Sequence, residues 1–524
     1  MLLANHYVLL KNERLKLYKK PSTWVLMGAI VLLTLFSLVI NKLMFRSAGG
    51  YSPSWQEQYN WGLEDLNGQL KENPEEIYTA QSIEALKYLL ENNISPQDWR
   101  TDLVFEYYNL KAEQLSKGEI PGQKQNEGKP IIQHGDWAKP GMEYGYAENR
   151  NMTDGERQER MEKLQSILKS NDWRKFIDFK IDDIKSGLIG SNSDQEKQVN
   201  IEMYELYRQH NIVPISDINN NLYYRGYGPN QENNDFLWKS REIETIRQNK
   251  LSVLRGEDEN GNLLTKNRIR NLEQDINVAL KRLSTNTAPI SYNSFLGLLE
   301  SSASEISLIS ILLIVYAGGI FASEYGSGTI KMLLITPHKR NKIFWSKTIL
   351  MMELTAIALA LNLALAFIFS GVFTAFKGIG SMQVISVFGS VVQLPYLLYI
   401  VLRFLILVLP VLTYGALAMM MSVVTRKSAI SIAATMMLMF GGNIVMGILS
   451  VVSQGKVLPG IKFLLFSNTE LSSYLPSASS AFMGGMSSMV DGTMTLGFSV
   501  AVLAVYTVCF LWIAHDSFCR RDVK

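Results

Sequence analysis

Long apolar runs alternate with polar stretches along this chain. A run of about 20 apolar residues is long enough to cross the hydrocarbon core of a membrane as a helix. By this rule the pattern predicts six spans, and the first two are separated by a polar insert of 255 residues. The predicted spans lie at about 24–44, 303–323, 348–376, 396–424, 429–453 and 494–515.

The first run has an alternative interpretation as a secretory signal peptide. Its apolar core is long, however, and cleavage after Ala48 would place Arg46 where a small residue is needed. We therefore interpret this run as an uncleaved membrane anchor.

The insert has the periodicity of helices. Ile83, Leu86 and Leu90 recur at the spacing of one helical face. Asp-Trp-Arg follows an apolar helix and a polar break twice, at 98–100 and at 172–174, and Asp is a good helix N-cap. Two helix starts with a buried tryptophan are the simpler interpretation, and a duplicated ligand-binding unit is the alternative. The predicted fold class is an all-α polytopic membrane protein with six transmembrane helices and a mostly helical extracellular domain.

Charge separates the insert from the rest of the chain. Residues 46–300 hold 31 Lys/Arg and 40 Asp/Glu, whereas the other 269 residues hold 20 and 8. In the short flanks of the spans, fifteen Lys/Arg lie on one side and three on the other. Because Lys and Arg accumulate on the cytoplasmic side, we expect both termini inside and residues 46–300 outside.

Residues that would carry catalysis are not evident. In the insert His134 and His210 lack ligand neighbours at metal spacing, and the carboxylates are interleaved with Lys and Arg. The two cysteines, Cys509 and Cys519, lie at the inner end of the last predicted span, so no disulfide is expected in the insert. The chain also has no Gly-x-x-x-x-Gly-Lys-Ser/Thr phosphate loop. We expect no enzyme activity, no metal site and no nucleic-acid partner.

The segment between the second and third predicted spans reads FASEYGSGTIKMLLITPHKRNKIFWSK, residues 321–347. Gly326 and Gly328 permit a sharp turn, and Thr329 can cap a short helix over 329–336. On that helix Ile330, Leu333 and Leu334 would form one apolar ridge, while Lys331 points elsewhere. Pro337 would end the helix, and Arg340, Lys342 and Lys347 would sit at the headgroup level.

A basic loop that only follows the positive-inside rule would explain the cations but not this order of residue types. The order Glu324-x-x-x-Gly-Thr, then a Leu pair, Pro337 and Arg340 resembles the permeases of type-2 ABC transporters. Other features of the family also have counterparts here: the basic stretch KNERLKLYKKPSTWVL resembles its surface-lying helix, and FCRRDVK at 518–524 resembles its C-terminal ending. The apolar gap at 454–493 resembles its re-entrant hairpin.

The resemblance covers residues 1–45 and 301–524, and the large insert at 46–300 departs from many members of the family. It implies a bacterial plasma-membrane permease subunit that exports a substrate, such as a peptide or another amphiphile. A separate nucleotide-binding ATPase subunit would bind ATP and Mg²⁺, and a second permease copy or paralogue and membrane lipids would be further partners. The implied coupling residues are Glu324, Gly328, Thr329, Lys331, Leu333, Leu334, Pro337 and Arg340.

Glu353 and Arg403 fall inside predicted spans, where charge indicates function by default. We interpret Glu353 as a structural pair near the interface. For Arg403, packing against an acid and lining a transport path both remain open. The alternative function is a non-transporting receptor or assembly factor whose extracellular domain binds a ligand or a cell-wall component. A membrane-anchored enzyme is the least supported hypothesis.

Overall fold

The structure is a computed structural model that describes most of the sequence, with gaps between the described ranges. The described residues are 2–19, 21–47, 54–116, 152–188, 193–216, 235–258, 261, 263–290, 294–330, 332, 339–387, 390–452, 460–474 and 494–520. They form a helical insert and a helical membrane part.

The insert consists of amphipathic helices with polar outer faces. Capping boxes start two of them, where the side chains of Ser54 and Thr153 accept hydrogen bonds from Glu57 N and Glu156 N. Helices are numbered from the start of the chain, so α1 (Leu2–Lys19) and α2 (Pro21–Ser47) precede the insert. The helices of the insert are α3 (Trp55–Glu72), α4 (Ile77–Glu91), α5 (Arg100–Leu115), α6 (Asp154–Ser170), α7 (Trp173–Lys185), α8 (Asp194–Gln209), α9 (Asp235–Arg255) and α10 (Lys266–Thr285).

Two apolar clusters form the core of the insert. The larger one includes Leu103, Phe176 and Ile243, which come from α5, α7 and α9 and are at most 1% exposed. The smaller one packs α3 and α4 around Leu86 and Leu89. Leu168 of α6 contacts both clusters, so the insert has a core of its own, separate from the membrane part.

The membrane part begins earlier than the sequence pattern suggests. Phe295, Leu296 and Leu299 are buried in the same cluster as the membrane helices, so this part starts near 295 rather than at 301. Its further helices are α11 (Phe295–Ser301), α12 (Ile306–Gly319), α13 (Ala322–Gly326), α14 (Arg340–Thr374), α15 (Tyr396–Thr425), α16 (Ser428–Val452) and α17 (Leu496–Arg520).

Among the described residues, five stretches are long and apolar enough to cross a membrane, at Thr23–Ile40, Phe295–Gly326, Arg340–Thr374, Tyr396–Thr425 and Leu496–Arg520. The predicted all-α polytopic membrane fold is therefore confirmed. In the predicted fifth span, α16 contains the shorter apolar helix Ser428–Gly442 among the fully described residues. The count of six spans stays a prediction.

The second span is broken near its start. A 3₁₀ turn, Ser302–Glu305, separates α11 from α12, and it contacts α2 and α14 as well. A 3₁₀ turn within a helix is a common place for a hinge or a functional site.

A β-hairpin that the sequence analysis did not predict joins α14 to α15. Strand β1 (Met382–Val387) pairs antiparallel with β2 (Ser390–Pro395), with Met382 opposite Pro395. The hairpin contacts α10 of the insert, and Gln393 Nε2 donates to Thr287 Oγ1 at 2.9 Å. The insert is thus attached to the membrane part by contacts as well as by its chain ends.

Residues 460–474 lie in the predicted re-entrant segment. They form three 3₁₀ turns, and Leu465 and Leu471 are buried against the membrane helices. The remainder of 454–493 lies outside the described residues, so the re-entrant hairpin stays a prediction.

Candidate coupling site

The predicted coupling segment begins at a second break in span two. Helix α12 ends at Gly319, and the five-residue helix α13 follows. The buried hydroxyl oxygen of Ser422 on α15 accepts hydrogen bonds from Phe321 N at 3.3 Å and from Ala322 N at 2.9 Å. It thereby satisfies amides that an unbroken helix would have paired.

Glu324 on α13 lies in a buried ion triad. Its carboxylate is 2.8 Å from Lys347 Nζ on α14, and the same ammonium is 3.2 Å from the carboxylate of Glu13 on α1. The Lys347 ammonium also faces the Phe321 ring at 5.6 Å. We call Glu13, Lys347 and Glu324 the membrane triad. It joins α1, the start of the predicted coupling segment and α14 at one point.

The position of Lys347 differs from the prediction. We expected it at the headgroup level, but the residue is 2% exposed. A buried ammonium requires compensating charge, and the two carboxylates supply it. The positive-inside pattern assigned this lysine to the surface because its partners are 23 and 334 residues away along the chain.

The environment of Glu13 favours its ionised form. Burial by itself disfavours the charge, but the charges of Lys347 and Lys16 outweigh it and lower the pKa of Glu13 below its ordinary value. The carboxylate of Glu13 is therefore ionised at neutral pH, as the triad requires.

A second ion pair connects the same two helices. Arg14 Nε on α1 lies 2.8 Å from the carboxylate of Glu353 on α14, and the two side chains are 40% and 24% exposed. Glu353 thus takes part in a structural pair at the edge of the membrane part, the interpretation that we favoured.

The turn after α13 has the backbone geometry of a glycine turn. Gly328 has φ +71°, a conformation that L side chains rarely adopt. The hydroxyls of Ser327 and Thr329 lie 2.8 Å apart. Gly326, by contrast, is helical, so only the second of the two glycines is required by its φ.

The apolar ridge is not exposed at its first position. Ile330 is 2% exposed and belongs to the membrane core cluster, whereas Met332 is 74% exposed. Ile330 is therefore not available to a partner as part of the predicted ridge, whereas Met332 is an exposed apolar side chain among the described residues of this stretch. Both residues are helical, as is Thr329.

Of the other predicted coupling residues, the structure describes Arg340. Lys331, Leu333, Leu334 and Pro337 lie outside the described residues. Arg340 is the first residue of α14, and its guanidinium is 3.4 Å from the carbonyl oxygen of Cys519 on α17. The structure thus brings Glu324 and Arg340 close to different neighbours rather than to each other.

Arg403 lies in a separate cluster. Its guanidinium pairs with Glu300 of α11, and the Tyr396 hydroxyl donates to the same carboxylate. Arg403 and Ser422 are 19 residues apart on α15, which corresponds to about 28 Å of helix. Of the two roles left open for Arg403, the structure provides the partner acid.

The sequence analysis missed Glu13, Glu300 and Glu305, and for each a signal was present. Glu13 is the only acid in the basic N-terminal stretch, and a lone acid there indicates a specific partner. Glu305 falls inside the second predicted span, and Glu300 lies just before it, where intramembrane acids should have been noted.

Comparison with known proteins places the similarity in the membrane part. Residues 284–524 match the family described as "Protein of unknown function (DUF2705)", so the match begins at the end of α10 and leaves out most of the insert. "Uncharacterized membrane protein YdbK" of Bacillus subtilis (strain 168) is 27% identical over 237 residues, which cover 44% of this chain and 84% of that protein. "Uncharacterized protein YhcI" of the same organism is 28% identical over 231 residues, or 42% of this chain and 67% of that protein.

Proposed function

We propose that this chain is the permease subunit of an ATP-driven exporter with type-2 ABC architecture. It would lie in a bacterial plasma membrane with both termini and the coupling segment in the cytoplasm and with the insert outside. A separate nucleotide-binding subunit would hydrolyse ATP with Mg²⁺, and a second permease copy or paralogue would complete the transport path.

The observation that carries the proposal is the membrane triad. It ties the first acid of the coupling segment to α1 and to span three through one buried ammonium. Breaking a buried ion pair is costly because it leaves an uncompensated charge. A partner that displaces the coupling segment would therefore move α1 and α14 together with it.

The exposed side chain of Met332 gives the proposed docking contact a described position. An apolar side chain that is 74% exposed beside a buried Ile330 is available to a partner without rearrangement of the fold. The order of residues that resembles the coupling segment of the family surrounds it, from Glu324 to Arg340.

The test is ATPase association and ATP turnover of complexes purified with the full-length chain. Met332→Asp should lose association at unchanged membrane level, because a carboxylate in an apolar contact is poorly tolerated. Leu333→Asp and Leu334→Asp should act in the same direction. Lys331→Ala should matter much less, since an exposed charge contributes about 1 kcal/mol at most.

Ile330→Asp is the matched control, because it places the same charge in the core. It should lower the amount of folded protein itself, which Met332→Asp should not. If Met332→Asp and Leu334→Asp both retain full ATPase association and turnover, the coupling role is refuted. The remaining alternative would then be a receptor or assembly factor that acts through its insert.

A further inference from the structure

Glu305 is a buried acid in the broken part of span two. It ends the 3₁₀ turn Ser302–Glu305 and is 3% exposed. Glu305 lies ten residues after Phe295 in the stretch Phe295–Gly326, which is long enough to cross the membrane. Its carboxyl group therefore lies inside the membrane part, away from water.

The neighbours of this carboxyl group are neutral. Asn362 Nδ2 on α14 donates to Glu305 Oε2 at 2.7 Å, and the same nitrogen is 3.0 Å from Thr34 Oγ1 on α2. Asn362 and Thr34 are at most 1% exposed, and Ser37 of α2 also lies next to the carboxyl group.

The described charged groups on the helices around Glu305 form ion pairs with other residues or lie far from it along the chain. In the part of the chain that the structure describes, no Lys, Arg or His nitrogen lies within 4 Å of the Glu305 carboxyl oxygens. The described titratable side chains on these helices include Glu300 on α11, which pairs with Arg403, Tyr316 on α12, and Glu353 on α14, which pairs with Arg14.

Among the described residues, no donor meets hydrogen-bond geometry at Glu305 Oε1 or at Asn362 Oδ1, although the hydroxyls of Ser37 and Thr34 lie near the carboxyl group. The orientation of the Asn362 amide is fixed by its second contact, because Nδ2 also donates to Thr34 Oγ1, whose own hydroxyl hydrogen goes to Ile30 O. Glu305 Oε2 accepts from this amide, so the proton of a neutral carboxyl group would lie on Oε1.

We propose that Glu305 is a proton-binding site of the membrane part, with a neutral carboxyl group in this conformation. An ionised carboxylate in such surroundings would be strongly disfavoured, because no cation among the described residues pairs with it and Glu305 is only 3% exposed. Glu300 is the contrasting case, since it is equally buried but faces the guanidinium of Arg403.

The position of Glu305 links its proton to the arrangement of the helices. The carboxyl group is enclosed by α2 and α14, which contact the 3₁₀ turn from two sides. A conformation that separates either helix from the turn would admit water and permit release of the proton. Proton binding at Glu305 thus favours the closed arrangement.

Infrared difference spectroscopy of the full-length protein in lipid nanodiscs tests the proposal. A protonated carboxylic acid has a carbonyl band that a carboxylate lacks. At neutral pH, Glu305→Gln should remove one such band, whereas Glu300→Gln should remove none. Asn362→Leu should shift the band of Glu305 without removing it, because the hydrogen bond is lost and the proton is not.

The unmodified protein gives a check that needs no variant. Its buried carboxylic-acid band should persist at neutral pH and disappear only on alkalinisation. If Glu305→Gln removes no band at neutral pH, Glu305 is ionised and the proposal is overturned. If the band appears only when Na⁺ and K⁺ are replaced by a large organic cation, the site binds a metal cation instead, which also overturns it.

Discussion

The insert and the membrane part each bury a cation between two carboxylates, but on different kinds of elements. In the insert, Arg160 of α6 pairs with Glu106 of α5 and Asp183 of α7, and its guanidinium lies 4.6 Å from the Phe179 ring. We call these three charged residues the insert triad. All of its helices have 13 residues or more, whereas Glu324 of the membrane triad lies on a helix of five.

Exposure distinguishes the two triads further. The carboxylates of the insert triad, Glu106 and Asp183, have side chains that are 4% and 5% exposed, but the side chain of Glu324 is 16% exposed. A carboxylate that can reach water is cheaper to separate from its partner. The insert triad therefore fixes a static core, and the membrane triad can open at its Glu324 side.

The largest effect is expected when the cation of the insert triad, Arg160, is removed. Arg160→Met should destabilise α5, α6 and α7 by about 3–5 kcal/mol, because two buried carboxylates are left together. Hydrogen exchange of the full-length protein would report the loss of protection in these helices. Combining the change with Glu106→Gln and Asp183→Asn should recover most of the protection. Equal loss in the triple variant would show that the contact with Phe179, rather than charge, is responsible.

Removal of the cation from the membrane triad should have a smaller effect. Lys347→Met should cost about 2–3 kcal/mol, below the range for fully buried pairs, since Glu324 can turn toward water. The expected readout is faster hydrogen exchange in α1 and α13, with α5 to α7 unchanged. An effect as large as that of Arg160→Met would mean that the two triads are equally rigid.

The glycine turn beside the membrane triad allows a test with a matched control. Gly328→Val should cost about 1–2 kcal/mol locally, because its φ of +71° disfavours a side chain, and a β-branched one most of all. Gly326→Ala should be tolerated, since that residue is helical and no atom lies within 4 Å of the added methyl group. Protease accessibility of the coupling segment would measure both, and similar accessibility in the two variants would contradict the role of φ.

The smallest expected effect is a pH dependence of the membrane triad. Because the pKa of Glu13 is below its ordinary value of 4.5 in the folded protein, its contribution to stability is fully present above pH 4.5. It should be lost as the pH falls through the lowered pKa. The difference in thermal unfolding between the unmodified protein and Glu13→Gln should therefore shrink in acid. A difference that is constant with pH would exclude the ion pair as its cause.

Local patterns in the sequence predicted what depends on local chemistry. The membrane spans could be predicted because long apolar runs are unfavourable in water. Asp172 caps α7 as expected, since its side chain accepts a hydrogen bond from Arg174 N at 3.0 Å. Trp99 is buried, with 4% of its surface exposed, but Trp173 is only half-buried. The burial of each tryptophan depends on the other helices packed around it, which the Asp-Trp-Arg motif does not specify.

Contacts between distant residues were not predictable in the same way. Lys347 looks like a headgroup lysine until Glu13, 334 residues earlier, is placed beside it. The hairpin at 382–395 was a different case, since the β-branched run MQVISV, followed by Phe-Gly-Ser, indicates two strands and a turn. Because this segment is a short connection between two predicted spans, no strand was predicted there.

The hydrogen bonds to Ser422 have a consequence for the biogenesis of this protein. Lipid cannot satisfy the amides of Phe321 and Ala322, and the hydroxyl that does so arrives about 100 residues later in synthesis. When span two first leaves the ribosome, these two amides would therefore lack the hydroxyl that pairs with them in the folded protein. Span two is best retained near the insertion machinery until span four emerges, so that both enter the lipid as one unit.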